Sequence, residues 1–436
     1  MTPVSEVPSR ERSTAAARRA MAGVHSADDV DLSQVTAVVA IVASSRGGSS
    51  LLHRILSDQP GTLSLGGEHT ALYKLNRLDR GRDGSDALES DVEFNWSEIS
   101  ADFMSLLGSG PPRPPVDAAA RRQYTDVLTR RLALQWPLEE IGHESVRDAV
   151  AHAVRTCPRP DDPGTLFAAV LRHLRTCHPR IDPSFYDLPP ALRGEPATTV
   201  LRPPHDGYCI EEPPFVVPHA RTAVDRDALR HHPVVIKSSV DAYRLPLLRR
   251  LMPNARIRVV HLTRNPAASV NGLYDGWRDR GFFSYDVSDR HTLSIAGYSE
   301  LGPDARRWWN FDIPPGWEKL VDQPLEWVGA NQWAGAHRAA LDALGPDTAD
   351  AVLRVPFEQI LDPATRERTL RSVFDFAEIR QPPQPVCLPV VMATARPGPS
   401  RWRRRAGLVL PAVGQPEIRE VADELGYRKG EEDRWL

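Results

Sequence analysis

The stretch VTAVVAIVASSRGGSSLLHRIL, from Val35 to Leu56, constrains the fold of this chain more than any other. Val35 to Ala43 is apolar and β-branched, as a strand buried on both faces must be. Leu51, Leu52, Ile55 and Leu56 then recur at helical spacing. Between them lie Gly47 and Gly48, preceded by Arg46 and followed by Ser49 and Ser50. A strand, a glycine turn and a helix form an anion site, because glycines let backbone N–H groups turn toward the ligand and the helix presents its positive end. The two serines add hydroxyl donors, and Arg46 adds a forked donor pair. The Walker pattern requires lysine after the last glycine, and Ser49 stands there instead. The dinucleotide pattern GxGxxG is also absent. Taken alone, the stretch also fits a plain turn between strand and helix.

The same scheme recurs further along. Val234 to Lys237 reads as a strand followed by a turn and a helix, Ile257 to Leu262 as another, and Ala351 to Val355 as a fourth. Gly61 to His69 reads as a short strand running into a glycine turn. Strands alternating with helices predict an α/β fold of three layers, α/β/α, around a central parallel sheet. Ligands of such folds gather at the carboxyl ends of strands, where Arg46, Lys237 and Arg264 all fall. Residues 1–32 are polar and alanine-rich and read as a loose leader, with a single domain over 33–436. Within it, 81–229 is expected to be a mostly helical insert, carrying apolar repeats at Leu128, Leu132 and Leu134, at Val146, Val150 and Val154, and at Leu166, Val170 and Leu174. MSLLGSGPPRPPVDAAA inside it reads as a proline-rich connection.

Composition removes several classes. A formal net charge of -3 at 41% hydrophobic content does not describe a nucleic-acid protein. The 4 cysteines are scattered without a CxxC pair, which argues against a zinc site or a disulfide framework. No apolar run suits a signal peptide or a membrane span, so a reducing cytoplasm is the expected location. Lysine is scarce, which draws attention to Lys237.

SSRGGSSLL resembles the 5'-phosphosulfate loop of the sulfotransferases that use 3'-phosphoadenosine 5'-phosphosulfate, with Arg46 in the basic position. RIRVVHLTRNPAASVNGLYDGW resembles the 3'-phosphate segment of that family, a strand ending in Arg-Asn-Pro before a helix. The resemblance assigns the 3'-phosphate to Arg264. The family usually has a serine eight residues later, where this chain has Gly272, and Ser269 and Asn271 are the nearby substitutes. TARPGPSRWRRRAGL is similar to the family's late basic loop, which folds over the nucleotide and nominates Arg396, Arg401, Trp402 and Arg403. The segment VLRVPFEQILDPATRERTLRSVFDF at 352–376 and the closing helix EIREVADELGY also resemble family members, the latter bacterial ones. The resemblance covers roughly 35–80 and 230–430, and no family motif falls in 81–229.

The resemblance implies the P-loop-like sulfotransferase fold and in-line transfer of a sulfuryl group to a hydroxyl or amine, with Arg46, Gly47, Gly48, Ser49 and Ser50 around the phosphosulfate and Lys237 as the second cation near the transferred group. The acceptor's proton needs a base. Many family members place a histidine shortly after the lysine, but Ser238 and Ser239 stand there. Others use a glutamate after the second strand, which nominates Glu68, with His69 as runner-up; a helix N-terminal acid is the competing reading of Glu68. No metal is expected. The insert and the aromatic residues Phe94, Trp96, Trp136, Tyr274, Trp277, Phe282, Phe283, Tyr285, Trp308, Trp309, Phe311 and Trp317 are expected to divide between core and acceptor pocket, favouring a bulky small-molecule acceptor such as a natural product. Nothing in the sequence argues for an oligomer. The competing functions are a non-catalytic nucleotide-binding protein on the same fold and a P-loop kinase, which lacks its lysine here.

Overall fold

The computed structural model of the chain describes residues 10–24, 30–194, 201–205, 207–279, 281–345, 351–384, 386–394 and 397–435. Among the described residues, nine strands form in chain order: β1 (Ala37–Val42), β2 (Leu63–Ser64), β3 (Gly108–Arg113), β4 (Ala220–Ala223), β5 (Val234–Lys237), β6 (Arg256–Thr263), β7 (Tyr285–Asp286), β8 (Trp308–Trp309) and β9 (Ala351–Pro356). Seven of them make one sheet in the order β4-β3-β2-β5-β1-β6-β9, and β7 pairs with β8 separately. The β2-β5-β1-β6-β9 part is parallel throughout, while β3 and β4 join antiparallel at one side. The expected α/β layering around a mostly parallel sheet is therefore present.

The alternation of β1 explains the layers. Val38, Ala40 and Val42 pack into one apolar cluster with Leu63, Val234 and Leu248. Val39 and Ile41 pack on the other face against Leu52, Ile55 and Leu56 of the helix Ser49–Ser57 and against Phe374. Burying each such side chain contributes about 1.5–3 kcal/mol, so the run is held on both sides and its register cannot slip without exposing one face. The apolar repeats of the insert form helices Ala118–Gln135, His143–Thr156 and Pro163–Leu174.

Two sequence expectations need correction. The proline-rich connection contains β3, so the insert contributes strands as well as helices. Proline obscured it: Pro111 and Pro112 have no N–H to donate, and they sit in the interval between Ser109 and Arg113 where the register with β4 shifts. The supposed loose leader holds a helix, Arg10–Met21. Ala17 and Ala20 pack in the cluster of Leu32, Val35 and Val38. Arg18 grips Asp102 with both terminal nitrogens, and Arg10 pairs with Asp79. Alanine buries too little area to announce an amphipathic face, so composition alone concealed the docking. Among the described residues, no helix is long and apolar enough to cross a membrane.

The helix makes a direct prediction. Ala17→Glu places a carboxylate at a fully buried position and should cost about 3–5 kcal/mol, the scale for an uncompensated buried charge. Chemical denaturation measures this; an unchanged midpoint would return the segment to a loose leader.

Candidate functional site

Register brings the site together. Ile41 of β1 lies beside Lys237, the last residue of β5, and Val42 lies beside His261 of β6. The residues just beyond these strand ends therefore meet. Arg46, Gly48, Ser49, Ser50, Lys237, Arg264 and Phe357 all line one cavity of about 940 Å³, a volume suited to a nucleotide-sized ligand with room for a second molecule.

The glycine turn is built by its backbone. Gly47 N–H bonds the Ser44 carbonyl at 3.0 Å. Gly48 has φ 96°, and a Cβ there would stand 2.5 Å from the ring of Phe357, so both conformation and space demand glycine. Leu51 and Leu52 donate to the Gly48 carbonyl, which starts the helix. Its first N–H groups have no acceptor within the helix. Ser49 and Ser50 thus present hydroxyls and an anion-attracting helix end to the cavity.

Lys237 is 5% exposed. Its Nζ donates to Ser50 Oγ at 3.0 Å and pairs with Glu68 Oε1. Ser239 N–H donates to Glu68 Oε2 at 3.3 Å. Burial raises the Glu68 pKa more than any other single influence, but the charge and hydrogen bond of Lys237 and the Ser239 N–H together outweigh it and hold the carboxyl below its ordinary value. Glu68 is therefore an ionised carboxylate at neutral pH, and its side chain remains 35% exposed. His69, the runner-up, does not line the cavity. Its ring is fully buried, with Nε2 3.0 Å from Asp241 Oδ1 and 3.1 Å from the Tyr73 hydroxyl. Neighbouring residues at this turn point to opposite sides.

Arg46 and Arg264 both reach the cavity, and Arg264 Nη1 donates to the Arg46 carbonyl at 2.9 Å. The Arg46 guanidinium donates to the Met392 carbonyl at 2.7 Å and to Thr394 Oγ1 at 3.3 Å, and lies 5.3 Å from the centre of the Phe282 ring. Burial, with the nearby charge of Arg264, pulls its pKa down to about 10. Burial likewise lowers Arg264 despite Glu358. Both gain from an anion that would restore what burial removes.

The substitutes for the missing serine separate. Ala268, Asn271 and Gly272 line the cavity, one face of the helix Pro266–Trp277. Ser269 is on the opposite side, fully buried, with Oγ unpartnered, so it drops out as a ligand contact. At Gly272 a Cβ would stand 3.2 Å from Arg46 Cβ, a tight approach that glycine avoids. Asn271 Oδ1 accepts from Arg405 at 2.7 Å.

The late basic loop divides too. Arg401 and Trp402 line the cavity, yet Arg401 is bound to Asp275 at 2.6 Å. Arg403 is turned outward, paired with Asp433 and stacked on Trp402, so it leaves the site. Arg396 lies outside the described residues. Of the aromatic candidates, only Phe282 and Phe311 reach the cavity; Trp136, Trp277, Trp308, Trp309 and Trp317 are core. Sequence reading missed Phe357, Arg366, Glu211 and Glu212, all on the cavity wall. Phe357 follows the end of β9, and the strand-end rule that found Arg264 applies to it equally.

Glu211 is bound to Arg131 at 3.1 Å and Glu212 to the buried Lys74 at 2.8 Å. Among the described residues no group of three or more histidine, cysteine, aspartate or glutamate side chains is placed to hold a metal ion. What the arrangement can do is bind a polyanion through guanidinium, ammonium, hydroxyl and backbone donors, beside an ionised carboxylate and two aromatic rings.

No family model and no curated protein matches the chain. A sulfotransferase of solved structure from Mycobacterium tuberculosis is similar to it at 12% identity, over 95% of this chain and 82% of that one, with a TM-score of 0.32. A likeness at that score carries no argument about the site.

Behind the turn, Ser45 Oγ and the Tyr243 hydroxyl donate to Asp312. Burial raises the Asp312 carboxyl to about 7, against the lowering effect of Ser45, from an ordinary 3.8. An acid with a raised folded pKa keeps its proton in the folded protein. Its contribution is full below the unfolded value and is lost as pH rises toward the folded one. Stability should fall between pH 4 and 7, and Asp312→Asn should flatten that slope by up to about 1.4 kcal/mol per pH unit. Denaturation midpoints across that range test this; identical slopes would place the titration elsewhere.

Proposed function

We propose that the protein is a sulfotransferase that moves the sulfuryl group of 3'-phosphoadenosine 5'-phosphosulfate to a hydroxyl or amine of a bulky small-molecule acceptor in a reducing cytoplasm. The observation that carries this reading is the meeting, in one cavity, of the Arg46–Ser50 turn with Lys237 and Arg264. The cofactor fits the donor set: Ser49, Ser50, the helix end and Lys237 suit a phosphosulfate, and Arg264 suits a 3'-phosphate. When bound, it supplies an activated sulfuryl group on a phosphate. Arg46, whose guanidinium reaches the same cavity beside the Phe282 ring and the Met392 carbonyl, adds positive charge there.

The chain's own part is electrostatic. Lys237 is aimed by Ser50 and Glu68 and offers a preorganised cation where negative charge develops; a donor of this kind is worth about 3–4 kcal/mol in comparable oxyanion sites. Glu68 is the base. Its carboxyl is ionised, but the paired Lys237 that holds its pKa down also makes it a weak base; a move of Lys237 toward developing negative charge would free the carboxylate and raise its affinity for the acceptor's proton. Phe282 and Phe311, with ring centres 4.8 Å apart, offer an apolar wall for the acceptor body. A kinase reading lacks the Walker lysine.

Incubation with the cofactor and a panel of metabolites, read by mass for an added sulfate, tests the reading. Binding of 3'-phosphoadenosine 5'-phosphate measured by calorimetry should exceed that of AMP. Nucleotide binding without turnover of any acceptor would favour a non-catalytic protein.

Glu68→Gln keeps a hydrogen bond to Lys237 but cannot take a proton. It should lower turnover about 10²- to 10⁴-fold while nucleotide binding hardly changes. Normal turnover would remove Glu68 as the base.

A further inference from the structure

The late basic loop, which would ordinarily reinforce Arg264, is already engaged. Arg401 and Arg405 are both bound to Asp275, and Arg403 is bound to Asp433. The serine that would also help is Gly272, placed against Arg46. Arg401 still lines the cavity near Arg264, but its charge is offset by Asp275.

Arg366 stands on the same wall. It lies in the helix Pro363–Ala377 and folds back over the short helix Phe357–Leu361, whose first residue places its ring 5.4 Å from the Arg264 guanidinium. Nε donates to the Ile360 carbonyl at 2.9 Å, and Nη2 donates to the Leu361 carbonyl at 2.8 Å. Two carbonyls fix the plane of the guanidinium without neutralising it. The adjacent acid, Glu367, is paired with Arg371 at 2.8 Å, and Asp362 caps the helix through the Ala364 N–H at 2.9 Å. Among the described residues, Arg366 forms no ion pair with a carboxylate, whereas Arg401 does. A guanidinium oriented by neutral acceptors and facing a cavity is ready for an anion.

We propose that Arg366 is a second binding residue for the 3'-phosphate, holding it together with Arg264 across the Phe357 element in place of the absent serine and the occupied late-loop arginines. The inference rests on the nucleotide reading given above. It adds that discrimination for a phosphate at the 3' position is divided between two arginines, one just past the end of β6 and one in the second helix after β9.

Calorimetry on the full chain with 3'-phosphoadenosine 5'-phosphate and with AMP tests it. Arg366→Gln should weaken the bisphosphate about tenfold to a hundredfold, the worth of one charge-assisted hydrogen bond, and leave AMP unchanged. Arg366→Lys keeps the charge but loses the fork and should fall between. It also serves as the control if the glutamine variant, having lost its carbonyl contacts, melts early. An equal loss for both nucleotides, or none for either, overturns the role of Arg366. If the unaltered protein itself fails to distinguish the two nucleotides, the assignment of Arg264 fails first and this inference falls with it.

Discussion

The parallel register of β5, β1 and β6 is the constraint on which everything at the site depends. It is fixed by burial on both faces of β1, where Val38, Ala40 and Val42 serve one cluster and Val39 and Ile41 another. Because three strands end level, three cations distant in sequence face the same space. Burial first, and then the nearby charge of Arg264, lower the affinity of Arg46 for its proton. The fold tolerates this because each cation is steadied locally, Lys237 by a carboxylate and the arginines by carbonyl oxygens. An anion entering the cavity would relieve a cost that the folded chain already carries.

The parallel sheet and the convergence of Arg46, Lys237 and Arg264 were legible in the sequence, since both follow from apolar strands ending in polar turns. Side-chain direction was less so. Ser269 and Asn271 looked equivalent in the string, but a helix of 3.6 residues per turn puts 268, 271 and 272 on one face and sends Ser269 into the core. Glu68 and His69 are neighbours with opposite surroundings, one on the cavity wall and one against Asp241 and Tyr73. The basic run at 401–405 looked uniform, and its division depends on where Asp275 and Asp433 happen to lie. Arg366 carried no local signal, because its orientation comes from carbonyls five and six residues earlier.

The tryptophans teach a related lesson. Their density beside the site suggested an acceptor platform, yet Trp277, Trp308, Trp309 and Trp317 interlock edge to face or pack as core. They build a stiff wall behind Phe311, and only the Phe282–Phe311 pair projects from it into the cavity. The apolar surface that this part of the cavity offers is thus two rings supported by many.

The bond between the Arg46 guanidinium and the Met392 carbonyl joins positions 346 residues apart. Floor and roof of the cavity therefore belong to opposite ends of the chain. The floor comes from β1, β5, β6 and the turns that follow them, and the roof from a segment that follows β9. A chain ending before that segment would carry Arg46, Lys237 and Arg264 but not the carbonyl that steadies the Arg46 guanidinium.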